Sequence, residues 1–152
     1  MIDDAGARDP NHVERIVLCS GKVFYDLNEA RRKATSTDAR DGARGASPTA
    51  REGSGEDRVA IIRLEQFYPF PQRALAETLA GYKNAKELVW CQEEPKNMGG
   101  WTFMESRLEN LLSRCERPLF VGRDASPSPA TGNYAIHTRE QERLVKEALK
   151  ID

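Results

Sequence analysis

A three-layer α/β domain, with a mainly parallel sheet covered by helices on both faces, is the fold class that this sequence predicts. Two observations predict it. Four short apolar runs alternate with four stretches of helical periodicity, and each run is closed by a glycine, a proline or a polar turn before the next helix begins. Parallel strands need crossover connections, and a helix after every strand supplies them.

The first run, "RIVLCSG" (15–21), is β-branched and closed by Gly21, and it passes into a helical stretch in which Val23, Leu27, Ala30 and Ala34 recur on one face. The second, "VAIIRLEQF" (59–67), is stopped by Pro69 and Pro71 and feeds a helix with Leu75, Leu79 and Tyr82 together. "KELVWCQEE" (86–94) is the third strand. From Gly99 onward Trp101, Met104, Leu108, Leu111, Leu112 and Cys115 trace one helical face. "PLFVGRD" (118–124) is the fourth strand, and the last helix turns Leu144, Val145, Ala148 and Leu149 inward.

Two segments stand outside this alternation. Residues 1–14 read as a polar leader, the remnant of an interdomain connection. Residues Thr35–Asp57 contain no large apolar residue and are punctuated by Gly42, Gly45, Pro48, Gly53 and Gly55, so they bury too little surface to offset backbone entropy. They are expected to be a disordered insertion within a single domain spanning 15–152.

At 152 residues the chain holds one ordinary domain. Its net charge of −1 gives no basic field for nucleic acid, and no apolar run approaches the length of a membrane span. Neither nucleic acid nor membrane is an expected partner. Cys19, Cys91 and Cys115 are odd in number and flanked by apolar residues, which predicts buried thiols rather than disulfides or a zinc site. His12 and His137 lie at opposite ends, so no metal or nucleophile constellation assembles from local spacing.

Ligands in parallel sheets meet the loops at the carboxyl ends of the strands, so function is sought there. In the "SGK" turn, Ser20 and Lys22 stand where free N–H groups and the positive helix end favour an anion, although P-loop spacing is absent; the alternative is a plain capped helix with a solvated lysine. In "GRDASPSPATGN" (122–133), Arg123, Ser126 and Ser128 complete such an anion pocket if the two strand ends are neighbours. The stretch "WCQEEPKNMGGW" (90–101) carries adjacent carboxylates, Glu93 and Glu94, which point to opposite faces of an extended segment and so cannot act as an acid/base pair. Gly99, Gly100 and Trp101 suit a tight helix entrance packed on the sheet. No catalytic residue is assigned.

Together, "VLCSGKVFYDL", "RLEQFYPFP", "NAKELVWCQEEPKNMGGW" and "GRDASPSPATGN" resemble the carboxyl-terminal domain of the 2-oxoglutarate dehydrogenases, the thiamine-dependent decarboxylating components of their complex. The resemblance covers the chain outside the leader and the insertion. It marks the 90–101 stretch as a family signature, and it implies a transketolase C-terminal-domain-like fold. It further implies that this chain is the final domain of a much longer, homodimeric oxidoreductase subunit of the tricarboxylic acid cycle, in a bacterial cytoplasm or a mitochondrial matrix. Such a parent decarboxylates 2-oxoglutarate and passes the succinyl group to the lipoyl arm of dihydrolipoyl succinyltransferase. Its thiamine diphosphate and Mg2+ are held by upstream domains that this chain lacks. The implied roles of the domain by itself are packing against those domains, dimer organisation, and allosteric regulation by acetyl-coenzyme A or AMP; Ser20, Lys22, Arg123, Ser126 and Ser128 are the anion contacts that strand-end position, not the resemblance, offers for such a site. Asp124 and Pro127 depart from the family's common form, and the insertion is longer than expected. The alternative is a self-standing nucleotide-binding or interaction module that keeps the fold without the chemistry.

Overall fold

The computed structural model describes residues 1–3, 9–41, 58–111 and 117–151, the segment 35–41 in its backbone alone. Among the described residues eight elements alternate: β1 (Arg15–Cys19), α1 (Val23–Asp41), β2 (Val59–Arg63), α2 (Gln72–Gly81), β3 (Glu87–Pro95), α3 (Trp101–Glu109), β4 (Leu119–Arg123) and α4 (Tyr134–Leu149). The strands form one sheet in the order β2-β1-β3-β4. Every pairing is parallel, with Arg15 opposite both Val59 and Glu87 and Val89 opposite Leu119. The expected three-layer α/β architecture is the observed one.

Strand alternation builds the two outer layers. Ile16 and Leu18 of β1, Ala60 and Ile62 of β2, and Leu88 and Trp90 of β3 face one side, where Leu75 of α2 and Trp101, Met104 and Leu108 of α3 close the core. Val17, Cys19, Ile61, Val89, Cys91 and Val121 face the other, against Val23 and Leu27 of α1 and Leu144, Val145, Ala148 and Leu149 of α4. Each large side chain buried this way contributes about 1.5–3 kcal/mol. Cys19 and Cys91 are buried thiols outside any disulfide, at paired positions of β1 and β3, and burial holds the Cys91 thiol well above its usual range, so it stays protonated. Cys115 lies outside the described residues.

Several boundaries differ from the sequence reading. Strands β1 and β2 stop at Cys19 and Arg63, because the chain leaves the ladder at the Ser20–Gly21 turn and beyond Leu64. Helix α1 runs seven residues past Ala34, to Asp41; residues 42–57 of the expected insertion lie outside the described residues. Helix α3 ends at Glu109, with Leu111 still packed on the core, while Leu112 falls outside the described residues. The 1–14 segment reaches the core, since Val13 is fully buried and the Glu14 carbonyl accepts the Lys86 and Glu87 amides at 2.7 and 3.2 Å. Its Ile2 bridges antiparallel to Arg63 at the edge of β2. Among the described residues no helix is long and apolar enough to cross a membrane.

Candidate functional site

The sheet order reverses between β1 and β3, since β2 lies on one side of β1 and β3 and β4 on the other. In doubly wound sheets the crevice at such a point, at the carboxyl ends of the strands, is where ligands sit. Here it holds a ring of four side chains. Lys22, just past β1, directs Nζ to Asp26 Oδ2 at 3.0 Å and Glu93 Oε1 at 2.9 Å. Gln141 of α4 donates Nε2 to the same two oxygens, at 2.7 and 3.0 Å. The hydrogen bond to Glu93, followed by that to Asp26, raises the Lys22 pKa above its usual value, so the ammonium is charged at any physiological pH.

The anion-attracting character of the "SGK" turn is therefore met by the chain's own carboxylates. The Gly21 amide likewise donates to Glu65 Oε2 at 3.3 Å, and Ser20 is half-buried beside it.

The second half of the expected anion site is held apart. Strand β3 lies between β1 and β4, so the two strand ends are not neighbours. Arg123 donates Nε to the Glu93 carbonyl at 2.6 Å, and its other nitrogens to Thr131 Oγ1 at 3.0 Å and the Pro129 carbonyl at 2.5 Å. The guanidinium thus shapes the loop that follows β4. Asn97 and Ser126 exchange reciprocal bonds of 3.0 Å between side-chain amide and backbone, which latch that loop to the one after β3. Ser128 donates Oγ to the Ala130 carbonyl at 2.8 Å.

Period-two alternation divides the 90–101 stretch between the two faces. Cys91 and Glu93 face α1 and α4, Trp90 and Gln92 face α3, and Glu94 is exposed. Glu93 and Glu94 do part company as their spacing predicts. The organising residue of the stretch is Gln92, which is 3% exposed. Its Oε1 accepts from Trp90 Nε1 at 2.8 Å and from the Gly100 and Trp101 amides at 3.0 Å each, two of the donors that the start of α3 leaves unpaired. Its Nε2 points to the Glu94, Pro95 and Met98 carbonyls at 3.2, 3.1 and 2.7 Å. One buried amide thus caps the helix and closes the turn in front of it.

Both glycines of the stretch are required by that geometry. Gly99 has φ 66°, where a side chain is strained, and a Cβ on Gly100 would lie 2.8 Å from the Trp90 ring.

Sequence reasoning singled out Glu93, Gly99, Gly100 and Trp101 but passed over Gln92, Asp26 and Gln141. The signal for Gln92 was present: a glutamine two residues beyond an inward tryptophan shares its buried face and needs partners there. Asp26, four residues after Lys22, is a local helical pair that the spacing offered, whereas Glu93 and Gln141 join them only through the strand order, which local spacing does not contain.

Comparison with known proteins bears on what this arrangement belongs to. The family described as 2-oxoglutarate dehydrogenase C-terminal matches residues 1–40 and 48–149. The 2-oxoglutarate dehydrogenase E1 components of Azotobacter vinelandii and Haemophilus influenzae are each 38% identical, over 99% and 98% of this chain. That of Cupriavidus necator is 37% identical over 97%. The chain spans about 14% of the length of these relatives. With its four parallel strands, its two helical layers and its signature stretch folded around Gln92, the chain belongs to the 2-oxoglutarate dehydrogenase C-terminal family.

Proposed function

We propose that this chain works as the final domain of a 2-oxoglutarate dehydrogenase decarboxylating subunit, and that by itself it is a non-catalytic assembly unit. The observation that carries the reading is the match to that family from residue 1 to 149 with one short gap, in a chain about one-seventh as long as its E1 relatives. On this reading the parent is a homodimer that decarboxylates 2-oxoglutarate and passes the succinyl group to dihydrolipoyl succinyltransferase. The relatives come from bacteria, which supports a bacterial cytoplasm as the compartment.

The residues present do not fit thiamine diphosphate with Mg2+. A magnesium diphosphate site needs carboxylate or amide oxygens open to the metal and cations open to the phosphates. At the strand ends Asp26 and Glu93 are engaged by Lys22 and Gln141, and Arg123 by two carbonyls and a hydroxyl. No step of the reaction is therefore assigned to this chain, and its contribution is to pack against the cofactor-binding domains and to organise the dimer.

Regulation by acetyl-coenzyme A or AMP is the finer part of the proposal. A phosphate reaching Lys22 must exchange with Glu93 and Asp26, so Ser20 and Lys22 act as an anion contact only when that ring opens. Arg123 and Ser128 are bound within the loop after β4, so with Ser126 they contact a phosphate only when that loop rearranges as well.

Calorimetric titration of the purified chain with acetyl-coenzyme A, AMP, and thiamine diphosphate plus Mg2+ tests the whole reading. Nucleotide binding that Lys22→Ala weakens supports the effector site, and binding of no ligand assigns the domain to assembly alone. Tight thiamine diphosphate binding would refute the reading.

A further inference from the structure

The exposed large apolar side chains are not spread evenly over the molecule. Tyr25 is 63% exposed, Tyr68 84%, Tyr134 84% and Ile136 40%. Tyr25 lies in the first turn of α1, Tyr68 in the loop beyond β2, and Tyr134 and Ile136 in the first turn of α4. All four therefore stand at the carboxyl end of the sheet, one group beyond each of β1, β2 and β4. Among the described residues Leu119, at the start of β4, is an exposed large apolar residue of the opposite end. That end is otherwise closed by charge: Arg15 Nη1 meets Glu87 Oε2 at 2.6 Å, and Lys150 Nζ meets Glu87 Oε1 at 2.7 Å.

We propose that this carboxyl-end face, anchored by Tyr25, Tyr68 and Tyr134, is the surface on which the preceding part of the longer 2-oxoglutarate dehydrogenase chain docks. The inference rests on the family reading above and adds the location of the contact. Tyrosine is enriched at protein interfaces because it brings large area with few rotatable bonds.

The Tyr25 ring and the segment that carries Tyr68 are also held in advance. Tyr25 packs edge-on against Phe24, with ring centroids 5.4 Å apart, and Arg63 lies 5.9 Å from its centroid. In sequence Tyr68 stands between Phe67 and Phe70, whose own rings pack on Phe103 with centroids 6.0 and 6.3 Å away. Anchors ordered before binding lose little entropy when they dock.

The occupant follows from two facts. About six-sevenths of each E1 relative lies outside the matching stretch, so a large preceding polypeptide is there to be packed. Its point of entry is at this same end, because Ile2 exchanges backbone hydrogen bonds of 2.8 and 2.9 Å with Arg63, the last residue of β2. The mixed charges around the face, Lys22 and Arg63 beside Asp26, Glu65 and Glu93, suit a protein surface better than a polyanion.

Hydroxyl-radical labelling of tyrosines tests the proposal. The chain is compared alone and fused behind the polypeptide that precedes the matching segment of the Azotobacter vinelandii relative. Labelling of Tyr25, Tyr68 and Tyr134 is expected to fall about fivefold or more in the fusion, as for residues at a water-excluding interface centre. Tyr68→Ser with Tyr134→Ser should restore labelling at Tyr25 without altering the melting of the isolated chain, because both rings stand outside its core. Unchanged labelling in a folded fusion overturns the proposal. So does a tyrosine-dependent dimer of the isolated chain in sedimentation, which would assign the face to a second copy. If the fusion does not fold, the preceding polypeptide added in trans gives the same reading. Decarboxylase turnover of the fusion, measured separately, reports on the family reading: protected tyrosines without turnover would leave the docking face standing and the activity refuted.

Discussion

Gln92 concentrates on one amide the work that several loop residues share elsewhere. Replacing it by leucine leaves Trp90 Nε1 and the Gly100 and Trp101 amides without their acceptor in a buried site. Each orphaned buried donor costs about 1–3 kcal/mol, and partial relaxation at the helix entrance brings the expected loss for Gln92→Leu to about 3 kcal/mol. Urea unfolding followed by tryptophan fluorescence measures it, and a loss below about 1 kcal/mol would contradict the capping role. Gln92→Glu keeps the acceptor but turns a second oxygen toward the Glu94, Pro95 and Met98 carbonyls. Those carbonyls disfavour the carboxylate and raise its folded-state pKa, so stability should be lost as pH rises through that raised value. Gly100→Ala is the steric counterpart. Its Cβ meets Trp90 at 2.8 Å and Phe67 at 3.0 Å, both well-packed rings, and the expected cost is about 1–3 kcal/mol in the same assay. At this scale the sequence was legible where a residue's role is local: the glycines at the helix entrance and the parting of Glu93 from Glu94 follow from backbone geometry alone. It was illegible where the role is a meeting. Arg123 reads as a free cation beside serines, and only the folded loop gives it the Glu93 and Pro129 carbonyls.

Strands β1 and β3 are adjacent, and each end of that pair is fastened by charge, though with different consequences for pH. At the amino end Glu87 bridges Arg15 and the αL-capping Lys150 of α4. The Lys150 hydrogen bond, with the charge of Arg15, holds the Glu87 carboxyl below its usual pKa of 4.5. A depressed carboxyl adds stability above its unfolded-state pKa and loses it as pH falls through the folded value. Glu87→Gln should therefore lower stability by about 1–3 kcal/mol at pH 7, since Arg15 is left buried with a weaker partner. The gap between variant and parent should close as the pH drops below the carboxylate range. Melting curves from pH 7 to pH 3 check it, and a gap independent of pH would show that packing, not charge, carries the effect. At the carboxyl end the raised pKa of Lys22 puts its loss of charge in the alkaline range, so that ammonium itself stays charged over the same interval. The element pattern itself was readable, because each strand and helix announces its own period. Boundaries were less so: the apolar run of β2 continues through Leu64 and Phe67, which pack on the core after the ladder has ended.

For the whole molecule, the order β2-β1-β3-β4 decides which loops meet, and nothing in the spacing of four parallel strands fixes that order. This is why a pocket joining the loops after β1 and β4 was a fair expectation and why β3 stands between them instead. What the order does not touch is the connection from α1 back to β2, and there the family comparison gives a direct test. The family match omits residues 41–47, which fall where the chain returns from Asp41 to Arg58. Helix α1, 19 residues long, extends about 28 Å, while the five residues of β2 beside it cover about 17 Å. The return path is thus about 11 Å along the axis plus one inter-layer step of about 10 Å, within easy reach of ten residues, which extend to about 33 Å. Deleting residues 42–47 should then leave both cores intact, and the shorter closure should favour the folded state by about 0.4 kcal/mol. The expected melting temperature lies within about 2 °C of the parent. A fall of more than about 8 °C would mean that these residues carry packing of their own, and that the domain is more than the two helical layers and the sheet between them.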